Sequence, residues 1–317
     1  MSNLPDLLNG ITKHKRSQAE LLRYLKPVDL QLHDKLRWCG SWLLIREFIE
    51  SGETRLRNAN FCKRGTICPA CAVRRGAKLT QAALPKIQSV ISERPELKLI
   101  HVTLTVENND SLVDGLAQIK EAWTRMVAHR RKALSGSQRH SSIEWNKVEG
   151  GVRSFEVTNK GKGWHPHIHV LAICSDWIDR EKLSQEFERF GGGKIVWATK
   201  VGSEEQELIP ALLEVLKYPT KFGDLTSEQR YHFYYASRSS RMTDTFGCLR
   251  GIKIGDLDQD DMEGLDGEYV DWIAKWIYSS ERFYVIKSDE EDERIRDRVA
   301  SFLLRRKRKN LVSSGTE

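Results

Sequence analysis

The sequence lacks the features that would mark it as a membrane or secreted protein. No apolar run approaches the roughly 20 residues that a membrane-spanning helix needs. The first residues, MSNLPDLLNGITKHKR, lack the apolar core of a secretory signal peptide, and no repeat or low-complexity tract is present. We therefore expect a cytoplasmic protein without a membrane segment.

Size and composition indicate a folded protein with a basic surface. The 317 residues can bury a large core, in one large domain or in two ordinary ones. Hydrophobic residues make up 39% and charged residues 30%, which is too apolar for a wholly disordered chain. The net charge of +7 favours polyanionic partners such as nucleic acid, although many basic proteins bind none.

Four of the six cysteines lie in the first quarter of the chain. Cys62, Cys68 and Cys71 form the pattern C-x5-C-P-x-C, and Cys39 precedes them in the stretch RWCGSW. A Cys-Pro-x-Cys turn aims two thiolates at one ion, so the four thiolates predict a closed, structural Zn²⁺ site. Ordinary buried cysteines are the alternative, because the first spacing is long and Cys39 is distant.

Basic residues next to these cysteines can face DNA phosphates: Lys63, Arg64, Arg74 and Arg75. The remaining cysteines, Cys174 and Cys248, lie in apolar context, and we expect them to be packed in a core.

Hydrophobic periodicity predicts alternating helices and strands in the middle of the chain. Helices are expected over residues 73–94, 111–134, 177–190 and 204–218, and strands over 97–106, 150–158, 165–174 and 195–200. The second and third of these strands flank the turn NKGKG and predict a hairpin. This order is typical of an α+β fold, with helices packed on an antiparallel sheet.

Changes in composition predict four segments along the chain. Residues 1–35 are expected to form a loosely attached basic arm, and residues 36–96 a cysteine segment followed by a helix. Residues 97–255 form the predicted main domain. The acidic, turn-rich stretch DLDQDDMEGLDGE begins a C-terminal extension, 256–317, that ends in a basic tail.

The stretch His165-Pro-His-Ile-His169 is the most informative one in the sequence. Residues two apart in a strand point to the same face, so all three imidazoles project to one side while Ile168 and Val170 face the core. Imidazoles at this spacing can share one divalent cation. Packing alone explains three alternating histidines poorly, and we interpret them as a functional site.

The hairpin adds a carboxylate to these histidines. If the turn centres near residues 161–162, Glu156 on the partner strand falls close to them and can complete the shell of a metal ion. Two imidazoles and one carboxylate leave positions open for a phosphate oxygen, as Mg²⁺- or Mn²⁺-dependent phosphodiester chemistry requires. The alternative for Glu156 is an exposed strand residue without a ligand role.

A second candidate group lies in the stretch EVLKYPTK. Glu214 and Tyr218 are four residues apart and share one face of a helix. A tyrosine can attack a phosphodiester and remain esterified to the DNA, and a neighbouring glutamate can activate water. Lys217 or Lys221 can stabilise the charge that develops. Taken alone, a tyrosine in this position is more often a packed residue.

Together these stretches resemble the HUH-type rolling-circle replication initiators of small plasmids, of the kind with one tyrosine and a nearby glutamate. The matching motifs occur in the family's order: CKRGTICPACAVRRG, LIHVTLTVEN, SFEVTNKGKGWHPHIHVLAI and EVLKYPTKF. A weaker likeness is the stretch RSSRMTDTFGCLRG. The resemblance covers residues 39–255, and the segment after residue 256 has no counterpart.

The resemblance implies a site-specific nickase-ligase that cuts and rejoins single-stranded origin DNA through a 5′-phosphotyrosine. His167 and His169 would bind the catalytic Mg²⁺ or Mn²⁺, with Glu156 as the accompanying carboxylate. Tyr218 would be the nucleophile, and Glu214 would direct the water that ends the reaction. The implied partners are a plasmid origin with the nick site in a hairpin, a host helicase and a host DNA polymerase.

Other readings account for part of the sequence. HPHIHVLA nearly satisfies the signature of a histidine-triad nucleotide hydrolase, which needs no metal, and His101-Val-Thr matches half of a 2H phosphoesterase site. A zinc-dependent DNA-binding regulator would explain the cysteines and the charge but not the histidines. A transposase or a conjugative relaxase would share the HUH chemistry.

Overall fold

The computed structural model describes residues 3–136, 143–216 and 224–288. The helices in these ranges are α1 (Leu4–Arg16), α2 (Ala19–Val28), α3 (Leu30–Arg37), α4 (Pro69–Glu93), α5 (Leu112–Leu134), α6 (Arg180–Arg189), α7 (Glu205–Leu216) and α8 (Ser227–Ser237). The strands are β1 (Trp42–Phe48), β2 (Thr54–Ala59), β3 (Lys98–Thr105), β4 (Val148–Asn159), β5 (Trp164–Cys174), β6 (Val196–Val201), β7 (Thr243–Gly247), β8 (Tyr269–Ile277) and β9 (Arg282–Lys287).

The chain divides into two compact units. Among the described residues, the larger unit comprises 17–38, 61–136, 143–216 and 224–257, and the smaller one comprises 3–16, 39–60 and 258–288. Each unit contains one antiparallel sheet among the described residues, with the strand order β6-β3-β5-β4-β7 in the larger and β2-β1-β8-β9 in the smaller. The candidate site lies on the larger sheet.

Both faces of the larger sheet are covered by helices. On one face α5, α6 and α8 enclose large buried side chains, among them Trp123, Trp145, Phe187 and Phe233. On the other face α4 and α7 supply aliphatic side chains that pack on Val152, Leu171 and Ile173. Most of the hydrophobic stabilisation of this unit comes from burial in these two layers.

Local sequence signals set the ends of the elements that carry the site. The β4–β5 hairpin turns at Gly161 and Gly163, whose φ angles of 82° and 86° suit glycine. Helix α4 begins at Pro69. Proline is favourable at the first position of a helix, because the N–H group that it lacks would have no partner within the helix. Helix α8 begins with a capping box between Thr226 and Gln229.

The smaller sheet buries one face, with Leu43, Ile45, Leu56 and Ala274 almost fully enclosed. On the other face Arg46 forms an ion pair of 2.9 Å with Asp271, and its guanidinium lies 3.4 Å from the centre of the Tyr269 ring. Residues more than 200 positions apart in the chain are joined in this way.

The predicted α+β class, with helices packed on an antiparallel sheet that carries the histidine strand, is confirmed. Helices α1 and α2 and most of α3 fall within residues 1–35, which were expected to be a loosely attached arm, and Leu21 and Leu25 are fully buried there. The division into four segments stays a prediction, and the basic tail lies outside the described residues. No described helix is both long and apolar enough to cross a membrane.

Candidate active site

The histidines of β5 project from the face of the larger sheet that carries α4 and α7. Ile168 and Val170, which alternate with them, are fully buried in the opposite core. His167 and His169 are 8% and 9% exposed, and their ring centres are 4.9 Å apart. His165 lies next to His167, with ring centres 5.6 Å apart, but outside the group of converging ligand atoms.

Glu156 lies on β4 directly opposite His167. Its Oε2 atom is 3.2 Å from Nε2 of His167 and 3.0 Å from Nε2 of His169. Potential ligand atoms of all three residues lie within 4.8 Å of one another. The hairpin register therefore brings two imidazoles and one carboxylate to a single point, as a shared cation requires.

The two ring nitrogens of His167 face different acceptors. Nδ1 is 3.3 Å from the carbonyl oxygen of His165, to which it can donate a hydrogen bond. In that tautomer the lone pair of Nε2 faces the Glu156 carboxylate, an arrangement that can accommodate a cation between the two side chains. Two imidazole nitrogens and one carboxylate oxygen can bind one divalent cation.

Hydrogen bonds control the charge of Glu156. Burial of the 1% exposed carboxyl opposes its ionisation, but the hydrogen bonds with His167 and His169 outweigh burial and hold its pKa well below the usual range. Glu156 is thus a carboxylate at neutral pH, the form that binds a divalent cation.

Three residues that the sequence interpretation did not assign to the site lie beside these ligands. Thr103 on β3 places Oγ1 3.1 Å from Nδ1 of His169, which fixes the orientation of that ring. The ring of His101 lies next to that of His169, with ring centres 5.5 Å apart. The hydroxyl of Ser154 on β4 is buried and has no hydrogen-bond partner among the described residues. The alternation in LIHVTLTV was the available signal for His101 and Thr103.

Glu214 lies near the end of α7, on the histidine side of the sheet. Burial lowers the pKa of His101 to about 4, the neighbouring His169 adds to this effect, and the carboxylate of Glu214 partly opposes it. Glu214 is therefore close enough to act on the charge of His101. Tyr218 and Lys221 lie outside the described residues, and their roles stay predictions.

The clustered cysteines also converge. The sulfur atoms of Cys62, Cys68 and Cys71, which all belong to the larger unit, lie within 4.8 Å of one another, so these three thiols can bind one metal ion such as Zn²⁺. Those of Cys62 and Cys71 are 3.5 Å apart. Cys39 belongs to the smaller unit, and its part in the site stays a prediction.

The Gln18 side chain supports this cluster, since its amide nitrogen donates a hydrogen bond of 3.0 Å to Cys68. Cys174 is outside the cluster, and burial raises the pKa of its thiol to about 12.

Comparisons with known proteins agree with these observations. A family model described as "Replication protein" matches residues 53–183, a range that includes the Glu156–His167–His169 group. "Protein rep" of Streptococcus pneumoniae serotype 2 (strain D39) is 27% identical over 322 residues, covering 87% of this chain and 95% of that relative. "Protein rep" of Lactiplantibacillus plantarum is 22% identical, covering 86% and 94%.

A "Replication protein" of Staphylococcus aureus is 23% identical over 236 residues, 63% of this chain. No solved structure matches the chain. The resemblance to replication initiator proteins that the motifs predict is confirmed by these matches. The assignment to the single-tyrosine type stays a prediction.

Proposed function

We propose that this protein initiates rolling-circle replication of a plasmid by cutting one strand of the origin DNA and later rejoining it. The observation that carries the proposal is the convergence of Glu156, His167 and His169 on one point of the sheet. It occurs in a chain that is similar to replication proteins over most of its length.

Each candidate residue has a distinct part in the proposed reaction. A Mg²⁺ or Mn²⁺ ion bound by Glu156, His167 and His169 would supply charge stabilisation at the scissile phosphate. The phenolic oxygen of Tyr218 forms a bond to phosphorus, and the bond from phosphorus to the 3′ oxygen breaks. That oxygen takes up the proton that the phenol releases, which leaves a free 3′-OH and a 5′-phosphotyrosine. Lys221 stabilises the negative charge that develops.

Glu214 is assigned to the end of the replication cycle. Its position on the histidine side of the sheet supports a role as a general base that activates water. Hydrolysis in the last round then prevents a second covalent link.

The proposed partners follow from this chemistry. The nick site must be single-stranded, as a hairpin in the origin would provide. The free 3′-OH primes a host DNA polymerase while a host helicase separates the strands.

The test is incubation of the full chain with Mn²⁺ or Mg²⁺ and labelled single-stranded origin oligonucleotides, followed by denaturing electrophoresis. We expect a covalent protein–DNA band that requires the metal and is lost in Tyr218→Phe and in His167→Ala. Tyr284→Phe and His232→Ala change exposed residues and serve as matched controls that keep the band. A folded wild-type protein that forms no adduct with origin DNA under either metal would overturn the proposal.

A further inference from the structure

A second feature of the larger unit is a cleft of about 590 Å³ at the β7 edge of its sheet. Its lining includes Thr243 and Thr245 of β7, Gly76 of α4 and Leu216 of α7. Thr243 and Thr245 pair with Ser154 and Val152 of β4, so the cleft opens on the same face as the histidines.

The cleft is strongly basic. Five cationic side chains line it: Lys63, Arg64, Arg75, Arg238 and Arg241. Among the described lining residues one carboxylate is present, that of Asp244, and it lies 3.5 Å from Arg153, which is not part of the lining. The lining therefore carries a surplus of positive charge.

The partners of these cations leave most of that charge uncompensated. Lys63 forms an ion pair of 2.6 Å with Asp256, whereas the acceptors of Arg64 among the described residues are neutral oxygens, the Tyr234 hydroxyl and the Cys62 carbonyl. Arg75 and Arg241 are exposed and form no ion pair with any residue that the structure describes. Uncompensated guanidinium groups around a concave surface are typical of sites for phosphate.

Strand register connects the cleft to the candidate metal site. Thr243 lies opposite Ser154, and Ser154 lies opposite His169. Since neighbouring strands are about 4.8 Å apart, Thr243 is about 10 Å from His169 across the sheet. The buried hydroxyl of Ser154 stands between them without a hydrogen-bond partner among the described residues.

We infer that the cleft binds the backbone phosphates of a single strand of nucleic acid whose scissile phosphate lies at Glu156, His167 and His169. This inference rests on the proposed function and locates the substrate strand. The volume is that of a small-molecule pocket, so the cleft admits a single strand but not a double helix. Among the lining residues that the structure describes, Tyr234 alone carries an aromatic ring and is 8% exposed, so binding by these residues relies on phosphates and tolerates any base sequence.

The test is the salt dependence of binding to a fluorescent thymidine oligomer of about 16 nucleotides, measured by anisotropy without added Mg²⁺ or Mn²⁺. The double variant Arg75→Ala/Arg241→Ala removes two phosphate contacts. We expect the slope of log K against log salt to become less steep by about 1.4, and binding near 0.1 M salt to weaken by roughly 10- to 30-fold.

Matched variants isolate the cleft from general effects of charge. Arg131→Ala/Lys132→Ala removes the same charge from exposed positions at the end of α5, which packs on the opposite face, and should leave slope and affinity unchanged. Arg75→Lys/Arg241→Lys keeps the charge and should keep the slope. If the alanine double variant of the cleft, folded by circular dichroism, binds as the wild type does, the inference is wrong.

The same assay separates this inference from the proposed function. His167→Ala/His169→Ala should abolish metal-dependent cleavage but retain the oligomer with wild-type affinity. If the wild-type protein cleaves no DNA but the replacement of Arg75 and Arg241 weakens oligomer binding, the proposed nickase activity is refuted. Phosphate binding by the cleft is then supported.

Discussion

Glu156 and His167 lie opposite each other in the β4–β5 ladder, with Oε2 and Nε2 3.2 Å apart. The carboxylate is 1% exposed, so its charge is tolerated only because cationic or hydrogen-bonding groups face it. Its pKa is held below the usual range, and the stability that it contributes is present above about pH 4.3 and is lost as pH falls through the folded-state pKa.

The first prediction concerns binding of Mn²⁺ to the wild-type protein. Because an ion bound only by the folded state stabilises it, Mn²⁺ at about 100 times its dissociation constant should add about 2.7 kcal/mol to the free energy of unfolding. Calorimetry should show a rise in melting temperature of several degrees. Glu156→Gln and His169→Ala should show no rise, whereas His232→Ala should behave as the wild type. An equal rise in all four proteins would place the ion elsewhere.

The second prediction concerns the pH dependence of stability. Burial holds the folded-state pKa of His101 at about 4, whereas an unfolded histidine has a pKa of about 6.5. The unfolded state thus binds more protons between these values, so stability is full above about pH 6.5 and falls toward pH 4.

His101→Gln removes this titration. Between about pH 7 and pH 5, in urea unfolding without divalent ions, the wild type should lose about 2 kcal/mol more than the variant. His232→Gln, in which an exposed ring is replaced, should lose as much as the wild type. Parallel pH curves for His101→Gln and the wild type would show that His101 is not the group responsible.

The third prediction concerns zinc. We expect elemental analysis to find one zinc ion per chain in the purified wild type and none in Cys62→Ser or Cys68→Ser. Loss of the ion should lower the free energy of unfolding by at least about 3 kcal/mol. Since Lys63 and Arg64 lie between these cysteines and line the cleft, affinity for the thymidine oligomer should fall as well. Cys248→Ser should retain zinc; zinc in all three variants would exclude the cluster as its site.

The fourth prediction concerns the contact between α4 and α7. A Cβ atom at Gly76 would lie 3.3 Å from the carbonyl oxygen of Leu216, so glycine permits the close approach of the two helices. Gly76→Val should displace the end of α7 and cost about 1–3 kcal/mol in urea unfolding. Gly10→Ala in α1, where nothing lies within 4 Å, should instead stabilise by about 0.5–1 kcal/mol. If the free energy of unfolding of Gly76→Val equals that of the wild type, α4 and α7 can move apart without an energetic cost.

The candidate metal ligands could be predicted from the sequence because all three lie within one hairpin. Alternation along β5 places His167 and His169 on one face, and a short turn sets the register that brings Glu156 opposite them. The fold class could also be predicted, because hydrophobic periodicity indicates the helices and strands in the middle of the chain.

The surroundings of these ligands depend on contacts between distant segments, which periodicity does not encode. Thr103 reaches His169 only because β3 pairs with β5, more than 60 residues away. Likewise β1 pairs with β8 across more than 200 residues, and the cleft joins the cysteine segment to β7. Neither pairing leaves a local signature, since any apolar strand can pair with another.

Strand β4 pairs with both β5 and β7, so the larger sheet fixes the distance between the candidate metal ligands and the cleft. Backbone hydrogen bonds, not flexible side chains, set the distance of about 10 Å between His169 and the edge of the cleft. A strand anchored by its phosphates in the cleft would be cut at a constant number of nucleotides from the anchor, whatever its sequence. Replacing Arg75 and Arg241 would then weaken binding of the strand but leave the position of the cleaved bond unchanged.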